Sequence, residues 1–577
     1  MATTSPNGVR TLVIWRALGF QLLLLGPALV AIWATPWFVT QDGPAHIYNA
    51  EILTRSFDHD SPFRDYFRIE WRPIPNWLGH LILAGLLRIT PAWAADRLMT
   101  TITLVGFGMA IVWLRWRVRD DRGLYVAALL ASLISMNLCW LFGFTNFMLG
   151  ACLYPITLGV WWSRRDRLTR VRLCALAALL VIGFFCHLVV IGLTLFSLLV
   201  LATIAPFEGN APAALKQRFV RVFKTSLSFL PVCLLVLEYR RISRQGGPMQ
   251  PSWDHLAAVL SLQAWIGQLT WSDPLTIAVK YGLPFTQNTG KGFFLFAPVI
   301  WFLAAILTWL VAELSILIKR QRAHRSHHCL NPAAAALAAA NPEPIEGNPD
   351  ASPRGGGRWV WLILTGILLV MGVAGPDSLG PNHGYYLVQR IVLLSLVPFT
   401  CLFDINQKTP WGRAAVGLLA IAFMLQTALV WDYALASNRS AGQLLTARAA
   451  VGNGQRVFTL LIDTPTRFRA NPMLHADLWL GVGTGNICWD NYETRHYYFP
   501  VQFVEPLKRP DHEEISALSN SQGDDRRKLW ASMLARDADA IDVLLVWQHD
   551  AGLDEITERY FDCVQDRGEL RIYRRKI

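Results

Sequence analysis

The segment QDGPAHIYNAEIL, residues 41–53, brings Asp42, His46 and Asn49 close together in the chain. Gly43-Pro44 directly after the aspartate predicts that one helix stops there and another begins, with Pro44 in an early helical position. On that new helix, positions 42 and 46 lie one turn apart and face the same side, with Asn49 on a neighbouring line. A carboxylate held in that way suits general-base catalysis, commonly worth ~10²–10⁴-fold in rate. The same carboxylate is also an ordinary helix N-cap, which needs no chemistry, and spacing alone does not choose between the two. His46 is suited to orienting Asp42, to acting as an auxiliary base or to touching a substrate.

Groups that meet negative charge occur further along. Arg240 and Arg241 stand in EYRRISR (238–244), and Arg390 closes NHGYYLVQR (382–390) where an apolar run begins. Guanidinium groups bind phosphate in a bidentate, charge-assisted way. At the mouth of an apolar run a charge is costly unless paired or engaged, so Arg390 is the sharper candidate, whereas Arg240 and Arg241 are equally suited to anchoring at a membrane interface. His187 interrupts FFCHLVV (184–190) and is either a helix-end histidine or a ligand. His383 and Tyr385 precede Arg390, although tyrosines also gather at membrane interfaces for amphipathic reasons alone. Arg64, Arg68 and Arg72 recur every four residues and make one basic face if that segment is helical.

The elements that carry these residues are set by composition. The 577 residues are 53% hydrophobic and 16% charged, which excludes a soluble domain for most of the chain. Runs of membrane-spanning length recur at about 11–35, 97–114, 123–141, 146–162, 172–186, 188–206, 223–237, 293–317, 358–375, 389–404 and 413–432, about eleven spans in all. The formal charge of +12 does not indicate nucleic acid, because residues 433–577 hold 18 Lys and Arg against 20 Asp and Glu; the excess lies in the membrane part. Its basic links, RWRVRDDR (115–122), WSRRDRLTRVR (162–172), KQRFVRVFK (216–224) and IKRQRAHR (318–325), fall on one side if the spans alternate, and the positive-inside tendency makes that side cytoplasmic.

In this scheme PIPNWLGHLILAGLLRI (73–89) is an amphipathic helix lying in the interface, within a first outer loop of about 36–96. The first loop, the 238–292 loop, residues 376–390 and the C-terminal residues then share the non-cytoplasmic face. The 318–357 link, rich in Ala, Pro and Gly, reads as a flexible cytoplasmic linker; its His324, His327, His328 and Cys329 match no standard metal spacing. The chain divides into a membrane part, 1–432, and a soluble α/β domain, 433–577. In the latter RVFTLLID (456–463) and IDVLLVWQ (541–548) predict buried strands, and FDCVQDRGELRIYRR (561–575) a hairpin turning at 566–568. GVGTG (481–485) is no dinucleotide site, since no GxGxxG follows a strand and opens a helix. Cys488 and Cys563 lie in polar sequence, where an oxidising compartment would permit a disulfide.

The order of landmarks over the first 432 residues resembles the GT-C superfamily of membrane glycosyltransferases, of the protein O-mannosyltransferase and aminoarabinose lipid A transferase type. The landmarks are Asp42 after the first span, the PIPNW opening (73–77) and AADRLM (94–99) at the start of the next span. Many relatives carry Asp-Glu where this chain has Asp42-Gly43, with His46 nearby. The resemblance implies an α-helical polytopic membrane protein that transfers a sugar, hexosyl or pentosyl, from a polyprenyl-phosphate donor to a glycan, lipid or protein acceptor. It implies the periplasmic face of a bacterial inner membrane, with no nucleic acid involved. Asp42 and His46 would be catalytic, Arg390, Arg240 and Arg241 would bind donor phosphate, and His187, His383, Tyr385 and Asn49 would contact substrate. A divalent metal is compatible with this picture; no other cofactor is implied. The alternatives are a transporter or flippase of lipid-linked saccharides, which would place ionisable residues deep within several spans, and a non-catalytic subunit of envelope polysaccharide assembly.

Overall fold

Helices that are apolar on every side are stable only where lipid or other helices surround them. The computed structural model describes residues 6–119, 123–206, 211–253, 293–330, 357–380, 383–464, 466 and 468–576. Its first part is helical: α1 (Pro6–Ala34), α2 (Gly43–Arg55), α3 (Trp77–Leu87), α4 (Ala92–Arg119), α5 (Leu124–Ser135), α6 (Leu138–Leu141), α7 (Thr145–Trp162), α8 (Arg170–Cys186) and α9 (Leu188–Ile204). There follow α10 (Ala211–Leu227), α11 (Leu230–Ser243), α12 (Phe293–Leu330), α13 (Arg358–Ala374), α14 (Leu387–Leu402) and α15 (Pro410–Leu445). Leu23, Val30, Leu307, Leu314 and Val370 are exposed on these helices, an apolar exterior that suits lipid.

Helices form over the apolar runs, but among the described residues fewer of them than the eleven expected are long and apolar enough to cross a membrane. Four described helical stretches, Thr11–Ala34, Ala92–Arg119, Pro298–Lys319 and Pro410–Val451, are long and apolar enough to cross a membrane. A fifth results if α10 and α11, bent by 50° at their junction, count as one. Five further expected runs are covered by helices of 16 to 18 residues, Thr145–Trp162, Arg170–Cys186, Leu188–Ile204, Arg358–Ala374 and Leu387–Leu402, and two are interrupted. The run expected at 123–141 breaks at Asn137, whose side chain accepts from the Trp140 amide at 3.0 Å and caps α6. The run at 223–237 breaks ahead of Pro231, which sits in the first turn of α11. Helix α12 continues to Leu330, so the first third of the expected linker is helical, while residues 331–356 and most of the 238–292 loop lie outside the described residues.

The basic links gather at one end of the helices. Arg115 and Arg119 of α4 pair with Asp404 just beyond α14, and Arg221 of α10 pairs with Asp166 at 3.1 Å. The opposite ends of α4 and α14 carry Asp96 and Arg390.

Beyond α15, which runs past the compositional break to Leu445, comes a sheet of β2 (Arg456–Leu461), β3 (Ile487–Cys488), β5 (Val543–Trp547), β6 (Phe561–Asp566) and β7 (Leu570–Arg575), in the order β3-β2-β5-β7-β6. Strands β3, β2 and β5 are parallel, and β5-β7-β6 antiparallel. The predicted strands and hairpin are present. Every residue of β5 is buried, as expected for a central strand covered on both faces. Cys488 and Cys563 stand on the two edge strands and are free thiols; with three strands between them, they are several times too far apart for a disulfide.

The first loop belongs structurally with this sheet. Its strand β1 (Phe67–Ile69) pairs antiparallel with β4 (Val501–Phe503), and Ala45, Ile47, Tyr48, Ile52, Phe63 and Phe67 share one apolar core with Val457, Phe458 and Leu544. Arg64, Arg68 and Arg72 therefore form no helical face: Arg68 bonds Gln502 and Arg72 bonds Glu70. In GVGTG, Gly481 packs against the ring of Tyr48, leaving 2.3 Å for any Cβ, and Glu51 accepts from the Gly483 amide at 2.7 Å. These glycines dock α2.

Candidate active site between the first loop and the C-terminal domain

The aspartate is placed by bonds to the main chain before it. Arg97 of α4 donates to the carbonyls of Thr35 and Pro36, each at 2.6 Å, and to that of Trp33 at 3.3 Å, which satisfies the acceptors left at the end of α1. On the other side Ser437 and Asn438 of α15 accept from the amides of Val39 and Trp37, and the Tyr433 hydroxyl donates to the Val39 carbonyl. The Asp42 amide donates to the Phe142 carbonyl at 2.9 Å. Gly43 follows because there is no room for a side chain: its Cβ would lie 2.4 Å from Thr40 Oγ1 and 3.3 Å from Asp96 Oδ1. The carboxylate facing this glycine is that of Asp96 from α4, which is buried.

Asp42 occupies the N-cap position of α2, yet its side chain makes no capping bond. The carboxylate turns to a cavity, accepting from Gln41 Nε2 at 3.4 Å and from the Tyr492 hydroxyl, with His475 Nε2 at 3.9 Å. Burial raises its pKa to about 6, against the opposing pull of His46 and of the Gln41 and Tyr492 hydrogen bonds. His475, largely covered beside it, is held neutral by desolvation, down to about 3.

His46 points to a second carboxylate. Its Nδ1 lies 2.5 Å from Glu493 Oε1, and His80 Nε2 of α3 lies 2.8 Å from Glu493 Oε2. Burial alone would push Glu493 up and His46 down; the charges of the two rings bring Glu493 to about 2, and Glu493 leaves His46 raised. The potential ligand atoms of His46, His80 and Glu493 all lie within 4.8 Å of one another, a set able to hold a metal ion.

Arg390, in the first turn of α14, lies over the rings of Phe144 at 4.5 Å and Phe147 at 5.4 Å, and contacts His187 Nε2 at 3.2 Å. Its Nε is buried and unbonded, and no carboxylate among the described residues pairs with it. His187 Nδ1 also accepts from the Val189 amide at 3.2 Å. Both contacts require a lone pair on His187, and a neutral imidazole has one. One N–H donor, on Val189 or Arg390, is therefore left for an incoming acceptor.

Asp42, His46, His187, His383, Tyr385 and Arg390 line one cavity of about 280 Å³. His383 is fixed by the Tyr497 hydroxyl at 2.9 Å and the Gly247 carbonyl at 3.0 Å, and Tyr385 is 46% exposed at the rim. Asn49, Arg240 and Arg241 stand outside it. Asn49 exchanges amide hydrogen bonds with Asn491 at 3.0 and 2.9 Å, Arg241 bonds Glu238 on the same helix, and Arg240 faces outward. The opposite wall consists of Tyr492, His496, Tyr498 and Phe499, which the sequence reading passes over. The signal available was aromatic density in NYETRHYYFP (491–500), with no spacing to tie it to residue 42.

Tyr492 and His496 also line a second cavity of about 900 Å³ in the C-terminal domain, at the end of β2. Its walls include Thr464, Asn471, Asn520 and His475, with His512 held neutral at about 4. Burial is the main cause for both histidines. Hydroxyls, amides, imidazoles and an aromatic ring, with Asp463, Asp490 and Arg526 among them, make this a hydrogen-bonding surface.

No protein-family model and no curated protein sequence matches the chain. Among solved structures, it is similar to the oligosaccharyltransferase of Archaeoglobus fulgidus in its apo form, with a TM-score of 0.42 and 12% identity over 96% of this chain and 72% of that one. At that level of likeness, function has to be argued from the site itself.

Proposed function

We propose that this chain is an integral-membrane glycosyltransferase that takes a sugar from a polyprenyl-phosphate donor. In this reading an acceptor hydroxyl attacks the anomeric carbon and passes its proton to Asp42. The bond from that carbon to the phosphate oxygen breaks, and polyprenyl phosphate leaves with the electron pair. Arg390 and the one N–H donor left beside His187 meet the phosphate charge, and Tyr385 and Tyr498 offer faces to the sugar. The polar cavity beyond Tyr492 and His496 receives the acceptor from the aqueous side. The position of the site at the helix ends opposite the basic links supports a non-cytoplasmic site, in this reading the periplasmic face of a bacterial inner membrane with the C-terminal domain on that side.

The observation that carries the reading is a pairing of unlike charges left unused by the fold. A carboxylate in a capping position that caps nothing, and a guanidinium with no carboxylate partner among the described residues, border the same cavity. The test is turnover of polyprenyl-phosphate-linked hexoses and pentoses by the purified full chain in liposomes, read as release of polyprenyl phosphate. Wild type releases it with at least one donor. Arg390→Met loses charged hydrogen bonds worth about 1.5–3 kcal/mol, a rise in donor KM of roughly 10–100-fold. Absence of release across the donors, or an Arg390→Met enzyme with unchanged KM, overturns the proposal.

A further inference from the structure

The cluster of His46, His80 and Glu493 has a hydrogen count that neutral histidines alone do not satisfy. His80 Nδ1 lies 2.9 Å from the Asn76 carbonyl, an acceptor, so that nitrogen carries a proton. Its Nε2 then faces Glu493 Oε2 at 2.8 Å with a lone pair, unless that nitrogen is protonated as well. His46 repeats the pattern: its ring donates to the Gly143 main chain, and its Nδ1 faces Glu493 Oε1 at 2.5 Å without hydrogen-bond alignment, leaving both atoms unsatisfied. Without a cation the arrangement calls for two imidazolium ions around one carboxylate, with all three side chains at most 6% exposed. A divalent ion carries the same charge as the two extra protons it would replace, and it adds a coordinate bond to each lone pair, with all three ligand atoms already within 4.8 Å of one another.

A single divalent ion resolves the count. Each neutral ring keeps its N–H on a main-chain carbonyl and gives its remaining lone pair to the ion, while the carboxylate supplies the third ligand. Ligating histidines are characteristically fixed in this manner, by a carbonyl or carboxylate on the ring nitrogen that does not bind metal. We propose that His46, His80 and Glu493 form a binding site for a divalent transition ion, zinc in the first instance. Two imidazoles and one carboxylate suit zinc better than magnesium or calcium, and three protein ligands is the number found where zinc keeps one position open. Bonds of about 2.0–2.2 Å in tetrahedral array separate ligand atoms by about 3.4 Å. Glu493 would therefore withdraw from each ring by less than about 1 Å from the contacts at 2.5 and 2.8 Å. The site joins α2, α3 and the C-terminal domain at the edge of the cavity that His46 lines.

The test uses the full chain in detergent, stripped with chelator and then given zinc or cobalt(II), with bound metal counted by elemental analysis after desalting. Wild type retains one equivalent of zinc, and its cobalt form shows the visible absorption of a low-coordinate nitrogen and oxygen site. Glu493→Gln and His80→Gln each weaken retention by more than about tenfold, the loss already found for groups that only orient a ligand. Wild type that retains neither ion overturns the proposal, as does zinc retained equally by wild type and folded Glu493→Gln. Should both variants fail to fold, X-ray absorption of the wild-type zinc form decides: a shell with two imidazoles and a carboxylate upholds the site, and any thiolate ligand or absence of imidazole overturns it. Metal retention does not depend on sugar transfer, so this inference and the transferase reading can fail separately.

Discussion

Replacing Asp42 by Asn removes a charge that the fold holds at a cost. Asp42 is 8% exposed, and burial takes its pKa from 3.8 to about 6. Between those two values the folded chain binds a proton that the unfolded chain has released, so stability falls as pH rises through this window. Below pH 4 the carboxyl is protonated in both states and the cost vanishes; above pH 6 it is fully present. At 1.36 kcal/mol per pKa unit, the cost amounts to about 3 kcal/mol. Asp42→Asn is therefore expected to match wild type near pH 4 and to exceed it by up to about 3 kcal/mol at pH 7 to 8, while transfer falls by ~10²–10⁴-fold. The assay compares thermal unfolding of the two proteins in mild detergent from pH 4 to 8, with chelator present so that only the chain's own charges act. A stability difference that does not change with pH would refute the desolvated carboxylate, and unchanged transfer would refute its role as base.

Two further outcomes are expected. Gly43→Ala places a Cβ 2.4 Å from Thr40 Oγ1 and should destabilise by about 1–3 kcal/mol, with Thr40→Ala in the same chain recovering part of the loss; equal melting of Gly43→Ala and wild type would contradict the close approach. Cys563 is an exposed thiol and Cys488 a buried one, so a non-reduced peptide map should contain no peptide joining them, and a membrane-impermeant maleimide should label Cys563 without reductant. A linked peptide would contradict the strand order.

The helical membrane part, the buried strands 456–461 and 543–547 and the terminal hairpin were legible because each rests on a local pattern of apolar residues. So was the placement of Asp42 and Arg390, through the Gly-Pro stop and a charge at the mouth of an apolar run. The site's other wall was not. Tyr492 and Glu493 lie in a single short 3-10 turn that His496 closes, too short for any periodicity, and what brings them to His46 is the β1–β4 pairing, a contact between residues more than 430 positions apart that no window of sequence reveals. Of the roughly eleven expected spans, those at 123–141 and 223–237 are interrupted for a related reason. Hydropathy registers the apolar run through Asn137 and Pro231 but not the single residues that end a helix inside it. Asn49 shows the limit of facing arguments: it shares a helix with His46, yet pairs with Asn491 because that amide is offered from across the junction.

The pairing of β1 with β4 also bears on how the protein comes into being. Asp42 leaves the ribosome early, whereas Tyr492 and Glu493 are made some 450 residues later. Until that later stretch is made and its strand is laid against residues 67–69, Asp42 lacks its neighbours Tyr492 and His475, and on the proposed reading the nascent polypeptide has no complete reactive centre.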